Sequence, residues 1–175
     1  MKKLFKILCT VALSLALCIP SMAAMAAVSP EEQPSPEDQL GYLISSKTYD
    51  NGDGTYSVEK IYTKHSPAFY STELYGTDEF TKVKEDKLNT GSLLVSYQIT
   101  ATFDWDTRTK KVKVYNQKGE LTYNQGGDIT NEKTGVSGNN TSKATAKYSF
   151  TRTTNLGFSK NYSVSVSCNY KGTDS

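Results

Sequence analysis

The sequence is poor in the residues that most often carry chemistry: it has one histidine, three cysteines and one tryptophan in 175 residues. With one histidine, any serine–histidine–acid relay depends on His65. Its neighbour Ser66 points away from it on an extended chain, and no G-x-S-x-G elbow is present. A structural zinc site takes four ligands, mostly cysteine and histidine, and His65 and Cys168 lie far apart in the chain. Long hydrophobic runs are also lacking. The longest, Ile7 to Ile19, is interrupted only by Thr10 and Ser14, and it is shorter than the roughly 20 residues that span a bilayer.

That run has a different meaning. Lys2, Lys3 and Lys6 precede it, Pro20 ends it, and small residues follow. This is the order of a secretory signal. Ala24-Met25-Ala26 fits an A-x-A cleavage site, with Ser21-Met22-Ala23 as the second choice, so residues 1–26 are expected to be a signal peptide. The alternative is an uncleaved anchor. Cys18 closes Leu15-Ala16-Leu17-Cys18, but the large Leu17 stands where lipid attachment wants a small residue. The C-terminus, Lys171 to Ser175, carries no hydrophobic tail and no wall-sorting pattern. The expectation is secretion, with release or non-covalent retention at the cell surface.

Cleavage would remove Cys9 and Cys18 and leave Cys168 alone. An intramolecular disulfide is then impossible, and the fold must rest on its core. The formal charge would pass from +2 to −1 with the loss of Lys2, Lys3 and Lys6. A near-neutral chain has no bulk attraction to nucleic acid. The distribution is uneven, however. Residues 28–106 hold six basic and fourteen acidic residues, and residues 107–175 hold eleven basic and four acidic. Either the halves interleave and their charges pair across strands, or a basic face meets an anionic surface polymer or a membrane. Arg108, Lys110, Lys111, Lys113 and Lys118 form the candidate polyanion-binding set.

Residues 27–41 read as a leader or linker, with Pro30, Pro34 and Pro36 among Glu31, Glu32, Glu37 and Asp38. Ser35-Pro36-Glu37-Asp38 could cap one helical turn. A single β domain is expected over 42–172. Asp50-Asn51-Gly52-Asp53-Gly54 is a hairpin turn between two β-rich stretches. Residues 63–76 read as irregular. Thr77 to Leu88 is the one plausible helix, with Phe80, Val83 and Leu88 approximating a face; a strand over Phe80–Lys84 competes with it. Leu93 to Trp105 is the strongest strand: Val95, Tyr97, Ile99, Ala101, Phe103 and Trp105 alternate with polar residues. Two turns, at 106–110 and 116–119, continue it into a meander. Residues 124–142 read as loop, with a short strand over Asp128–Lys133 as an option. Lys143–Arg152 and Asn161–Tyr170 then alternate cleanly. The expected fold is all-β: an antiparallel β-sandwich or small barrel of about seven hairpin-connected strands, with at most one short helix near 77–88.

The run Ile99-Thr100-Ala101-Thr102-Phe103-Asp104-Trp105-Asp106, followed by a basic turn and Lys111-Val112-Lys113-Val114, resembles small exported proteins of Gram-positive, clostridia-like bacteria. The closing Gly157-Phe158-Ser159 and Val164-Ser165-Val166-Ser167-Cys168 are similar to the same group. The resemblance implies export and a hairpin architecture, and no particular activity.

The remaining candidates read as structure. Cys168 falls on the apolar side of its strand, as a small buried hydrophobe would; exposed, it could link two chains. Asp50, Asn51 and Asp53 hint at calcium, but an EF-hand count from Asp50 puts Gly52 third and Ile61 twelfth, so the pattern fails. Asp104 and Asp106 share a strand face, about 6–7 Å apart, a spacing between those of retaining and inverting glycosidases. They border a basic turn that would pair them. A hydrolase would need them to converge with Glu120 in a pocket. Trp105 belongs to the apolar face and reads as core. The Lys143–Tyr170 hairpin has the alternation of a pore-forming hairpin and equally of a sandwich strand. The sequence therefore favours a secreted, non-enzymatic binding domain with no catalytic, cofactor or metal site. Its expected partner is an anionic cell-surface polymer or another extracellular protein. A membrane-active, toxin-like or bacteriocin-like protein is the alternative, and a small hydrolase ranks third.

Overall fold

The computed structural model describes residues 38–65 and 74–173. The expected signal peptide, the leader up to residue 37, and residues 66–73 of the stretch read as irregular, Ser66 among them, lie outside the described residues. The chain enters through a 3-10 turn at Asp38–Leu40 and then forms eight strands: β1 Tyr42–Asp50, β2 Thr55–Thr63, β3 Tyr75–Leu88, β4 Leu93–Asp106, β5 Lys111–Asn124, β6 Asp128–Ser137, β7 Lys143–Thr153 and β8 Ser159–Asn169. Every pairing is antiparallel between consecutive strands. β1 to β5 make a large sheet in that order, and β6 to β8 make a small one. The fold is a β-sandwich of two meanders, all-β as the alternation requires.

The inner face of β4 is Val95, Tyr97, Ile99, Ala101, Phe103 and Trp105, all buried. It meets Ala144, Ala146, Tyr148 and Phe150 of β7 and Tyr162, Val164, Val166 and Cys168 of β8. Burial of each large apolar side chain contributes about 1.5–3 kcal/mol. Aromatic rings interlock at the centre. The Tyr97 ring stands edge-on to Phe150 at 5.1 Å and to Tyr162 at 5.8 Å, and Phe150 stacks on Tyr162 at 5.2 Å. Gly119 of β5 lies directly under the Tyr148 ring, where a Cβ would come 2.2 Å from a ring carbon. Trp105 is slotted between Gly76 and Gly172 in the same way.

The chain changes sheets at residues 125–127. Gly127 (φ +94°) needs glycine there, because a Cβ would meet the Thr153 carbonyl at 2.5 Å. Arg152, buried on β7, clamps this link: its Nε donates to Asn124 Oδ1 (2.8 Å) and its Nη2 to the Gly126 carbonyl (2.9 Å).

Three sequence expectations change. The segment near 77–88 is not a helix but the fourteen-residue β3. Phe80, Val83 and Leu88 imitate helical spacing because the inner row of this strand is Asp78, Phe80, Lys82, Lys84 and Asp86, set opposite Phe103, Ala101, Ile99, Tyr97 and Val95. β3 lies at the margin of the small sheet, so its inner face is only partly apolar. Residues 128–137 form a full strand, β6, rather than loop, and no turn divides the chain at 116–119, where β5 runs unbroken from Lys111 to Asn124 with a bulge opposite Thr100 and Thr102. β6 is an edge strand exposed along almost its whole length, so it carries no apolar alternation.

Candidate functional site

The β4–β5 hairpin gathers most of the basic residues singled out above. Asp106 starts the turn: its Oδ1 accepts from the backbone N–H of Arg108 (2.8 Å) and of Thr109 (3.3 Å). The Arg108 guanidinium folds back onto both Asp106 oxygens at 3.2 Å. Those hydrogen bonds hold the Asp106 carboxyl below the usual carboxylate range. The same guanidinium covers the exposed Tyr75 ring at 5.0 Å. Thr107 ties the turn to the start of β3, donating from N (2.9 Å) and Oγ1 (2.8 Å) to the Leu74 carbonyl.

Antiparallel register sets Lys111 opposite Asp106 and Lys113 opposite Asp104. All four side chains therefore lie on the outer face of the large sheet. Asp104 accepts from Thr77 Oγ1 at 2.6 Å and from the Tyr115 hydroxyl at 3.0 Å. Partial burial and Asp104 together raise the Tyr115 phenol pKa. A groove of about 470 Å³ results, lined by Tyr75, Thr77, Asp104, Arg108, Lys111 and Lys113 among others. Lys110, at positive φ (54°), is the exposed tip of the turn beside it.

Lys118 does not join this group. A register shift between Thr100 and Thr102 carries it up the strand to face Thr100, where it pairs with Glu120 at 3.0 Å. Ion pairs that join the two charge-rich halves include Arg108–Asp106 (3.2 Å) and Lys160–Asp53 (3.9 Å). Lys82–Glu59, Lys84–Glu59 and Lys87–Glu85 all join residues of the acidic half.

The other candidates fall into structural positions. Asp104 and Asp106 line the groove just described, whereas Glu120 lines a different one with Glu85, Gln98 and Tyr62. The three carboxylates do not converge. Asp50 and Asp53 receive backbone N–H groups of their own turn, from Gly52 (2.8 Å) and Thr55 (3.1 Å). No group of three metal-ligating residues occurs among the described residues. Cys168 is fully buried, and its thiol donates to the Asn169 carbonyl at 3.3 Å. The apolar face of the β7–β8 hairpin is committed to the core. Among the described residues no helix is long and apolar enough to cross a membrane.

His65 has a partner that the sequence did not disclose. Its Nδ1 lies 3.0 Å from Asp78 Oδ1, and Asp78 Oδ2 accepts the Trp105 indole N–H at 2.6 Å. Asp78 is buried, so one carboxylate ties the chain after β2 to the core tryptophan. No local pattern links residues 65, 78 and 105; strand register alone brings them together.

The fold and groove define a small antiparallel β-sandwich with a basic cleft at one end. No protein-family model, no curated protein and no solved structure matches the chain.

Proposed function

We propose that this protein is an exported, non-enzymatic binding module that attaches to an anionic polymer of the Gram-positive cell surface through the end of its β4–β5 hairpin. One observation carries the reading. The two carboxylates in the groove are already engaged, Asp104 by Thr77 and Tyr115 and Asp106 by Arg108 and the turn N–H groups, while Lys110, Lys111 and Lys113 are exposed beside them. A polyanion can approach the lysines without displacing an internal ion pair. Such a contact is screened by salt, over about 10 Å at 0.1 M. The test is K110Q/K111Q/K113Q, which leaves the Asp106–Arg108 turn intact. It should lose retention on isolated Gram-positive cell walls, and unchanged retention would overturn the reading.

A membrane-active role rests on a different feature, the apex of the β7–β8 turn, where Leu156 and Phe158 are 84% and 72% exposed. It predicts dye release from liposomes, reduced by L156S/F158S. No release across lipid compositions would remove it.

A further inference from the structure

The outer face of the small sheet carries a polar surface of its own. β7 and β8 pair without any register shift, and their outward side chains form a ladder of hydroxyls and amides. Thr145 bonds Ser167 (2.8 Å), and Thr151 donates to Asn161 Oδ1 (2.9 Å). Neighbouring rungs are spaced about 4.8 Å across strands and about 6.6–7 Å along them. In the middle of this ladder stand two lysines, Lys147 from β7 and Lys133 from β6, the latter opposite Ser149; a third, Lys143, stands at its far end opposite Asn169.

A bulge determines the charge of the face. Between Thr130 and Lys133 the β6 register shifts by one residue, with Asn131 at φ +55°. Asn131 is thereby aimed at the ladder, its Nδ2 donating to Thr151 Oγ1 at 3.3 Å. Glu132 is turned the other way and accepts from the Tyr148 hydroxyl at 2.9 Å. The middle of the face keeps both lysines and loses its one carboxylate; Asp128 stands at the far corner, opposite Thr153. A depression of about 310 Å³ lies there, lined by Lys133, Lys147, Ser149, Thr151, Asn161 and Ser163 with Phe150 and Tyr162 beneath. Both rings are buried.

We propose that this depression binds an acidic glycan. The lysines would pair with its carboxylate or sulfate groups, and the serine, threonine and asparagine side chains, each both donor and acceptor, would meet the sugar hydroxyls. The lining favours this ligand over its nearest rivals. Among the described residues that line the depression, no exposed ring offers a nucleic-acid base a stacking surface, and no exposed apolar side chain is there to enter a lipid phase. This surface belongs to the other sheet from the β4–β5 groove and stands independently of it.

Gly135 supplies a clean test. It pairs with Lys147, and a Cβ there would meet nothing within 4 Å. G135E therefore sets a carboxylate beside both lysines. The purified protein is assayed on immobilised hyaluronate and chondroitin sulfate, with dextran as neutral control and polyphosphate as sugar-free polyanion; thermal melting checks each variant's fold. Binding to an acidic glycan should weaken by about tenfold or more in both K133Q/K147Q and G135E relative to the parent. Absence of binding to either glycan, or parent-like binding by both small-sheet variants, would overturn the proposal. So would equal, equally sensitive binding to polyphosphate, which would make this an ion site without sugar recognition. Glycan binding lost only in K110Q/K111Q/K113Q would overturn it in favour of the β4–β5 groove.

Discussion

The large sheet is two regions with one topology and opposite interiors. β4 lies under the small sheet, and its inward residues from Val95 to Trp105 are all apolar and buried. β2 makes no substantial contact with the small sheet, and its inward row is Ser57, Glu59, Ile61 and Thr63. There Glu59 sits between Lys82 (2.8 Å) and Lys84 (3.2 Å), and Ser57 donates to Asp86 at 2.6 Å. β3 runs along the border and mixes both kinds: Phe80 inward in the same row as Lys82 and Lys84. The inward pattern of a strand thus reports what covers it. Where cover is complete, only apolar groups avoid the desolvation cost; where it ends, paired charges are tolerated.

Mutations sharpen this contrast. Phe103→Ala, in the fully covered region, should cost about 3–5 kcal/mol in chemical denaturation. Ile61→Ala should cost clearly less, because Ile61, though buried, lines a groove beside the charged Glu59 and Lys82, where the site collapses more easily; equal losses would erase the distinction. Gly119→Ala should cost about 1–3 kcal/mol by overpacking, since the added methyl meets the Tyr148 ring. Asp78→Ala strips the buried Trp105 indole of its acceptor, for a loss of about 1–3 kcal/mol and a shift in the emission of the sole tryptophan.

Glu59→Gln should have the smallest effect, about 1 kcal/mol or less at neutral pH, as a partly exposed pair. Its signature is the pH dependence. Burial works against the Glu59 charge, but Lys82 and Lys84 outweigh it and hold the carboxyl below its ordinary 4.5. The folded pKa is depressed, so the stabilisation is full above about pH 4.5 and is lost as pH falls through the folded value. E59Q should flatten the stability profile in that acid window and leave it parallel to the parent above it. An unchanged acid slope would contradict the assignment.

Coverage also explains what was legible. β4, β7 and β8 could be read directly, because each has one face sealed and the other wet. β3 could not, since Asp78, Lys82, Lys84 and Asp86 occupy inward positions for reasons that lie on other strands. β6 could not, since it buries almost nothing. At the basic end, the cluster Arg108 to Lys113 was visible as charge, but the saturation of Asp104 by Thr77 and Tyr115 and the stacking of Arg108 on Tyr75 depend on register. Lys118 was drawn into the set by proximity in sequence, and the irregularity at Asn116 (φ +52°) separates it. The small-sheet lysines escaped notice because their distinction is the removal of Glu132 by a bulge.

The most direct test of the central claim is retention of the purified protein on isolated Gram-positive cell walls over a salt series, beside K110Q/K111Q/K113Q. A module attached through the basic groove should bind at low salt, release as salt rises, and fail to bind as the triple variant. Retention indifferent to salt and identical in the variant, or no retention at any salt, would contradict it.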